Sequence, residues 1–192
     1  MLGLSRRQVG RLALGTTFAA TPFSSAFARK RKYFYLLKEI PEFEAPLIGG
    51  GILTQETFSG KWSILDFWGL WCGPCLRDSA FVATLSKKMS EHSDLAYQAI
   101  HTGDNYGKWG SVETYFEEKQ YSYPVALDKK MRVLKRFKLN SVPSYLIVGP
   151  DRVVRGIQQD SFVDAGQDAA EKFLQLFIDL HDGKITNGGD GS

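Results

Sequence analysis

Cysteine is almost absent from this chain: Cys72 and Cys75 are its only two thiols in 192 residues. That excludes a scaffold of structural disulfides. Histidine is nearly as scarce. His92, His101 and His181 stand singly, so nothing joins the cysteine pair to complete the roughly four ligands of a zinc site. Leu76 follows Cys75 where covalent haem attachment needs a histidine. No metal and no cofactor is expected. Long apolar runs are missing too. The stretch from Leu12 to Phe23 falls short of the roughly 20 residues that cross a bilayer, and Gly15, Thr16 and Thr17 dilute it. The charge excess is only +3 at pH 7, and Arg6, Arg7 and Arg11 account for it; beyond residue 28 basic and acidic residues number 21 each. Basicity therefore gives no argument for nucleic acid binding.

What is present is Trp71-Cys72-Gly73-Pro74-Cys75, placed between the apolar run Trp62-Ser63-Ile64-Leu65-Asp66-Phe67-Trp68 and a segment of helical periodicity. Two thiols at such a junction read as a redox pair. In a strand–loop–helix unit Cys72 falls at the helix N-cap, where unpaired N–H groups and the positive end of the macrodipole favour an anion. Its thiol pKa is expected to be lowered, which makes Cys72 the attacking thiolate. Cys75, one turn further in and more buried, is expected to stay protonated and to resolve. An inert bridge is the competing reading, but such bridges rarely sit at so electropositive a helix start.

The N-terminus reads as an address label. Ser5-Arg6-Arg7-Gln8-Val9-Gly10 carries paired arginines, a modestly apolar stretch follows, and Ala26-Phe27-Ala28 supplies small residues for cleavage after Ala28. Residues 1–28 are expected to be a twin-arginine-type signal peptide, without a permanent membrane anchor, which places the mature protein in the periplasm. Arg29-Lys30-Arg31-Lys32 hinders ordinary Sec export, and reads equally as a solvated basic arm. Residues 29–184 are long enough for one domain burying about 70% of its unfolded surface. Residues 185–192, rich in glycine, are expected to be a flexible tail.

Periodicity along the domain predicts an α/β architecture. Strands are expected over Trp62 to Trp68 and Leu95 to His101, and a hairpin from Tyr145 to Val148 and Val153 to Gln158 around Gly149-Pro150-Asp151-Arg152. Helices are expected over Pro74 to Met89, with Ala80, Phe81, Leu85 and Met89 on its apolar face, over Lys129 to Phe137, and over Ala169 to His181. An amphipathic segment covers Val112 to Gln120. Phe67 and Trp68 are expected in the core. Trp71 and Pro74 should instead form an exposed apolar rim. No role follows for His92 or His101.

Leu65-Asp66-Phe67-Trp68-Gly69-Leu70-Trp71-Cys72-Gly73-Pro74-Cys75 resembles the active-site strand and turn of the thioredoxin superfamily. Ser141-Val142-Pro143-Ser144 is similar to that family's cis-proline loop, and Val142-Pro143 is the one peptide here that could turn cis at low cost. Pro41 to Leu47, Gly60-Lys61 and Tyr123 to Asp128 are similar to the exported TlpA/ResA-like branch; together the matches span roughly residues 40 to 157. The resemblance implies a thioredoxin fold: a central mixed sheet flanked by helices, with an N-terminal extension and an insertion before the cis-proline strand. It implies that Cys72 and Cys75 are catalytic, and that Asp66 matches the family's buried aspartate, taking the Cys75 proton through water. A strand-end aspartate reaching solvent is the alternative. Trp71, Gly73, Pro74, Val142 and Pro143 would meet an extended substrate peptide, with the Val142 backbone pairing as an added strand. Asp78 stands where the branch usually has glutamate, and reads either as a redox-tuning acid or as a surface charge at a helix start.

Departures from the pattern are visible. Ala80 replaces a helix-kinking proline, Ser144 replaces threonine, and the region of Tyr97 and Gln98 offers no lysine to pair with Asp66. The function implied is a thiol–disulfide reductase acting on disulfide-containing proteins, such as apocytochrome c, and recharged by a membrane electron donor. A dithiol oxidase and a peptide-binding module stand as alternatives. A peroxiredoxin-type peroxidase is disfavoured, because its threonine three residues before the reactive cysteine is Gly69 here.

Overall fold

The structure, a computed structural model, describes residues 36–164 and 169–185. The expected signal peptide, the basic arm at 29–32 and the tail beyond Ile185 lie outside these residues.

The N-terminal extension forms a hairpin of two three-residue strands, β1 (Glu44–Pro46) and β2 (Ile52–Thr54), turned through Gly49, Gly50 and Gly51 at positive φ. The chain then enters β3 (Trp62–Trp68), which has the near-continuous apolar sequence of a strand covered on both faces. After it come α1 (Gly73–Ser90), β4 (Leu95–Thr102), α2 (Val112–Lys119), β5 (Val125–Asp128) and α3 (Arg132–Arg136). The chain closes through β6 (Ser144–Val148), β7 (Val154–Gln159) and α4 (Ala169–His181). Five strands make one mixed sheet in the order β5-β4-β3-β6-β7. β3 and β4 pair in parallel, as do β4 and β5, while β6 runs antiparallel to both β3 and β7.

The pleat sorts the core into two layers. Ile64 and Trp68 of β3, with Tyr145 and Ile147 of β6, face Val82, Leu85 and Met89 of α1 and Phe173, Phe177 and Leu180 of α4. Leu65, Phe67, Leu146 and Val148 face the other way, onto Phe43, Leu53, Phe58 and the α3 residues Val133 and Leu134. The hairpin thus serves as a lid on the second layer, and a bridge from Leu47 to Ala126 ties it to β5. Arg152 holds the same extension from outside, through Glu39 and Glu56.

One expected face of α1 is corrected. Its buried stripe is Cys75, Asp78, Ser79, Val82, Leu85, Ser86 and Met89, whereas Ala80 is exposed and Phe81 only half-buried, against Phe162. Three polar residues on the inner face disguised the stripe. The helix runs unbroken over 18 residues past Ala80.

Candidate active site

β3 delivers the chain to the N-terminus of α1, and there the sequence folds as its spacing requires. Cys72 is the N-cap, Pro74 sits in the first turn where its missing N–H costs nothing, and the Cys72 sulfur accepts the Cys75 N–H at 3.1 Å. Cys72 and Cys75 are joined as a disulfide with Cα atoms 5.3 Å apart. Both are buried, so in this oxidised form Cys75 is not distinguished from Cys72 by depth.

The Val142–Pro143 peptide is cis, and the Val142 carbonyl oxygen lies 3.7 Å from the Cys72 sulfur. Pro143 is buried behind it, leaving half-buried Val142 as the accessible member of the pair. Gly73 is exposed, Pro74 half-buried and Trp71 41% exposed, so an open rim borders the disulfide.

Trp71 is pinned. Its indole Nε1 donates to the Thr102 carbonyl at 2.8 Å, and the ring lies over two glycines. A Cβ on Gly69 would stand 2.6 Å from Nε1. On Gly103, at φ +82, it would stand 2.9 Å from Met131 Cε and 3.3 Å from Nε1. Gly103→Ala should therefore cost about 2 kcal/mol or more, combining left-handed strain with a displaced Trp71. Gly110→Ala, at φ +74 in open space, should lose only about 1 kcal/mol. Equal losses in urea titrations would show that the indole is not held by this packing.

His101 shapes the same loop. Its Nε2 accepts the Leu70 N–H at 3.0 Å, its ring stacks on Tyr106, and burial lowers its pKa to about 4. The ring is therefore neutral at physiological pH and able to accept. Sequence gave it no role, since an isolated histidine carries no signal of a backbone partner 31 residues away.

Asp66 faces the α1 side of the sheet and is 2% exposed, not a strand-end residue reaching solvent. Burial raises its pKa from 3.8 to about 7, against the lowering effect of a hydrogen bond from the Tyr97 hydroxyl; the Asp78 charge adds to the rise. Asp78 is no surface charge either. Fully enclosed, it accepts from Tyr145 Oη at 2.8 Å, Ser161 Oγ at 2.6 Å, and the Phe162 and Val163 N–H groups at 2.9 and 3.2 Å. A cavity of about 530 Å³ elsewhere is lined by Glu42, Phe43, Arg132 and Arg136, and shares none of these residues.

An exchangeable disulfide at a helix start, against a cis-proline loop, is equipped for thiol–disulfide exchange, and the protein is in class a thiol–disulfide oxidoreductase of the thioredoxin fold. Comparison with known proteins narrows the class. The AhpC/TSA family profile matches residues 36–157, and the chain belongs to that family. Thiol-disulfide oxidoreductase ResA of Bacillus cereus is 25% identical over 150 residues, covering 77% of this chain and 83% of that protein. ResA of Bacillus subtilis is 23% identical over 129 residues, covering 65% and 70%. The fold is shared with a thiol-disulfide oxidoreductase of Bacteroides fragilis, at a TM-score of 0.58 and 21% identity over 72% of this chain and 98% of the other. It is also shared with the exposed lipoprotein thioredoxin of Streptococcus pneumoniae, at 0.54 and 19% over 70% and 98%.

Proposed function

We propose that the protein is an exported reductase that opens disulfides in other proteins. The Cys72 thiolate attacks a substrate disulfide, expels one substrate thiolate and forms a mixed disulfide. Cys75 then gives its proton to Asp66 and attacks the Cys72 sulfur. The bond from Cys72 to the substrate breaks, the substrate leaves as a dithiol, and Cys72–Cys75 is left oxidised. Trp71, Gly73 and Pro74 form the rim against which the substrate presses, and the Val142 backbone pairs with its extended chain.

The observation that carries the direction is Asp66. A buried carboxylate on the sheet face that carries the disulfide opposes further negative charge on the sulfurs. Strong oxidants instead owe their potential to a stabilised reduced form. Gly73-Pro74 between the cysteines agrees, being the dipeptide of thioredoxin, which sits at about −270 mV against about −120 mV for DsbA. That gap is about 7 kcal/mol for two electrons. Export to the periplasm is supported by Arg6-Arg7 and by likeness to a thioredoxin described as exposed. A peroxidase is disfavoured by packing as well as sequence, because any side chain at position 69 collides with Trp71.

The potential, equilibrated against glutathione, is expected near −270 mV; a value above about −180 mV, typical of disulfide isomerase, would overturn the reductase reading in favour of an oxidase. The exported Cys75→Ala variant should retain substrates on Cys72. Recovery of apocytochromes or their haem-handling partners would assign cytochrome c maturation, and a broad set of secreted proteins would assign general repair. An absence of adducts would favour a binding module.

A further inference from the structure

The resemblance to thioredoxins implies a lysine beside the buried aspartate, and among the described residues no lysine bonds Asp66. Its substitute is a phenol. Tyr97, on β4, is 5% exposed, and its hydroxyl donates to Asp66 Oδ2 at 2.6 Å. Oδ1 is buried and has no hydrogen-bond partner among the described residues. The two carboxylate oxygens are therefore unequal. Oδ2 is engaged from the β4 side, and Oδ1 is left to receive a proton.

We propose that Tyr97 is a positioning residue for the exchange reaction, orienting Asp66 so that Oδ1 takes the Cys75 proton and favouring the charged form of the carboxylate. The inference rests on the reading of Asp66 as the base. A hydrogen bond to the charged form of a carboxylate favours that form. The donor must also be permanent, and Tyr97 meets this condition: burial first, then the charge of Asp66, pushes its pKa well above the ordinary 10, so the hydroxyl keeps its proton. Unlike lysine, it adds no charge. The other groups facing Asp66 are the Asp78 carboxylate of α1, the phenol of Tyr145 on β6 and that of Tyr123 ahead of β5. Tyr145 is committed to Asp78, and Tyr123 meets the Tyr97 ring edge-on without bonding the carboxylate. Among the described residues Tyr97 is thus the one hydroxyl that bonds Asp66 and is placed to set its acidity.

The test uses the reduced full-length protein and the aromatic disulfide DTNB. Attack by Cys72 releases one coloured thiolate, and attack by Cys75 on the resulting mixed disulfide releases the second, so the resolving step is read directly as the second phase. In the wild type, the rate of that phase should rise with pH through an inflection near 7. In Tyr97→Phe the inflection should move up by about one to two pH units, slowing the second phase about ten- to a hundredfold at pH 6 and leaving the first unchanged. Tyr123→Phe, which removes a neighbouring hydroxyl that does not bond Asp66, should leave the inflection in place. Asp66→Asn should abolish it. An inflection that stays put in Tyr97→Phe, or moves equally in Tyr123→Phe, would overturn the role of Tyr97 while Asp66 stands. Persistence of the inflection in Asp66→Asn would instead remove Asp66 as the base, and Tyr97 with it.

Discussion

Asp66→Asn should slow release of the mixed disulfide about a hundredfold at pH 7, the lower end of what a positioned base contributes, with the first attack by Cys72 nearly unchanged. The same substitution should make the oxidised protein more stable, and only at higher pH. The folded-state pKa of Asp66, about 7, lies above its ordinary 3.8. Between those values the folded protein holds a proton that the unfolded chain has released. Stability from this group is therefore full below about pH 4, declines as the pH rises, and levels off above pH 7. The whole difference corresponds to about 4 kcal/mol. Asparagine does not titrate, so urea denaturation should find the variant more stable by about 3–4 kcal/mol at pH 8 and close to wild type at pH 4. A gain that is the same at both pH values would mean that charge burial is not its source. A retained release rate would remove Asp66 from the chemistry even if the stability gain appears. Together the two results would identify a residue kept for turnover at the expense of stability, as acids buried at functional sites often are.

The elements legible in advance are those whose sequence carries a long or unusual pattern. β3 lies at Trp62–Trp68, where an apolar run ends in Gly69, and α4 at Ala169–His181, where Phe173, Phe177 and Leu180 repeat at helical spacing. Cys72 at the N-cap follows from C-x-x-C after a strand, and the cis-proline from the resemblance of Ser141-Val142-Pro143-Ser144 to a family loop. The hairpin of β1 and β2 was readable only as an extension, because three residues per strand give no alternation to detect and Pro46 lies within one of them. β5 is four residues long and becomes a strand by pairing with β4, a context that its own sequence does not contain. The polar groups of the site were half legible. An acid within β3 announces itself as anomalous, which singles out Asp66. Its donor does not, since Tyr97 is an ordinary strand residue until the parallel register of β3 and β4 sets it beside the carboxylate. The sequence leaves Asp78 open between a redox-tuning acid and a surface charge for a similar reason: three of its four donors lie 83 to 85 residues further along, in Ser161, Phe162 and Val163.

Those donors make Asp78→Ala a strongly destabilising substitution. Removing the carboxylate strands the Tyr145 and Ser161 hydroxyls and the Phe162 N–H, each of which costs about 1–3 kcal/mol when buried without an acceptor, and leaves the Val163 N–H with Ser161 Oγ alone at 3.2 Å. Relaxation and entry of water will recover part of that, and a net loss of about 3–5 kcal/mol is expected, a large share of the 5–15 kcal/mol typical of a domain. The loss should be local as well as global. Segment 161–164 is held to α1 by Asp78 from beneath and by the Arg77–Asp164 ion pair at the surface, and an exposed pair contributes little alone. Hydrogen exchange at the Phe162 and Val163 amides should therefore accelerate more than elsewhere in the sheet. Asp78→Asn separates anchoring from redox tuning. It keeps one acceptor oxygen but turns an NH₂ toward one hydroxyl and one backbone N–H, so stability should fall by less than in alanine. It also removes a negative charge that helps to raise the Asp66 pKa, so the resolving step should shift its pH dependence downward. An anchor alone predicts the stability loss without the shift; a tuning acid alone predicts the shift without accelerated exchange at Phe162 and Val163. The geometry places Asp78 where both should appear, with the loss of stability the larger effect.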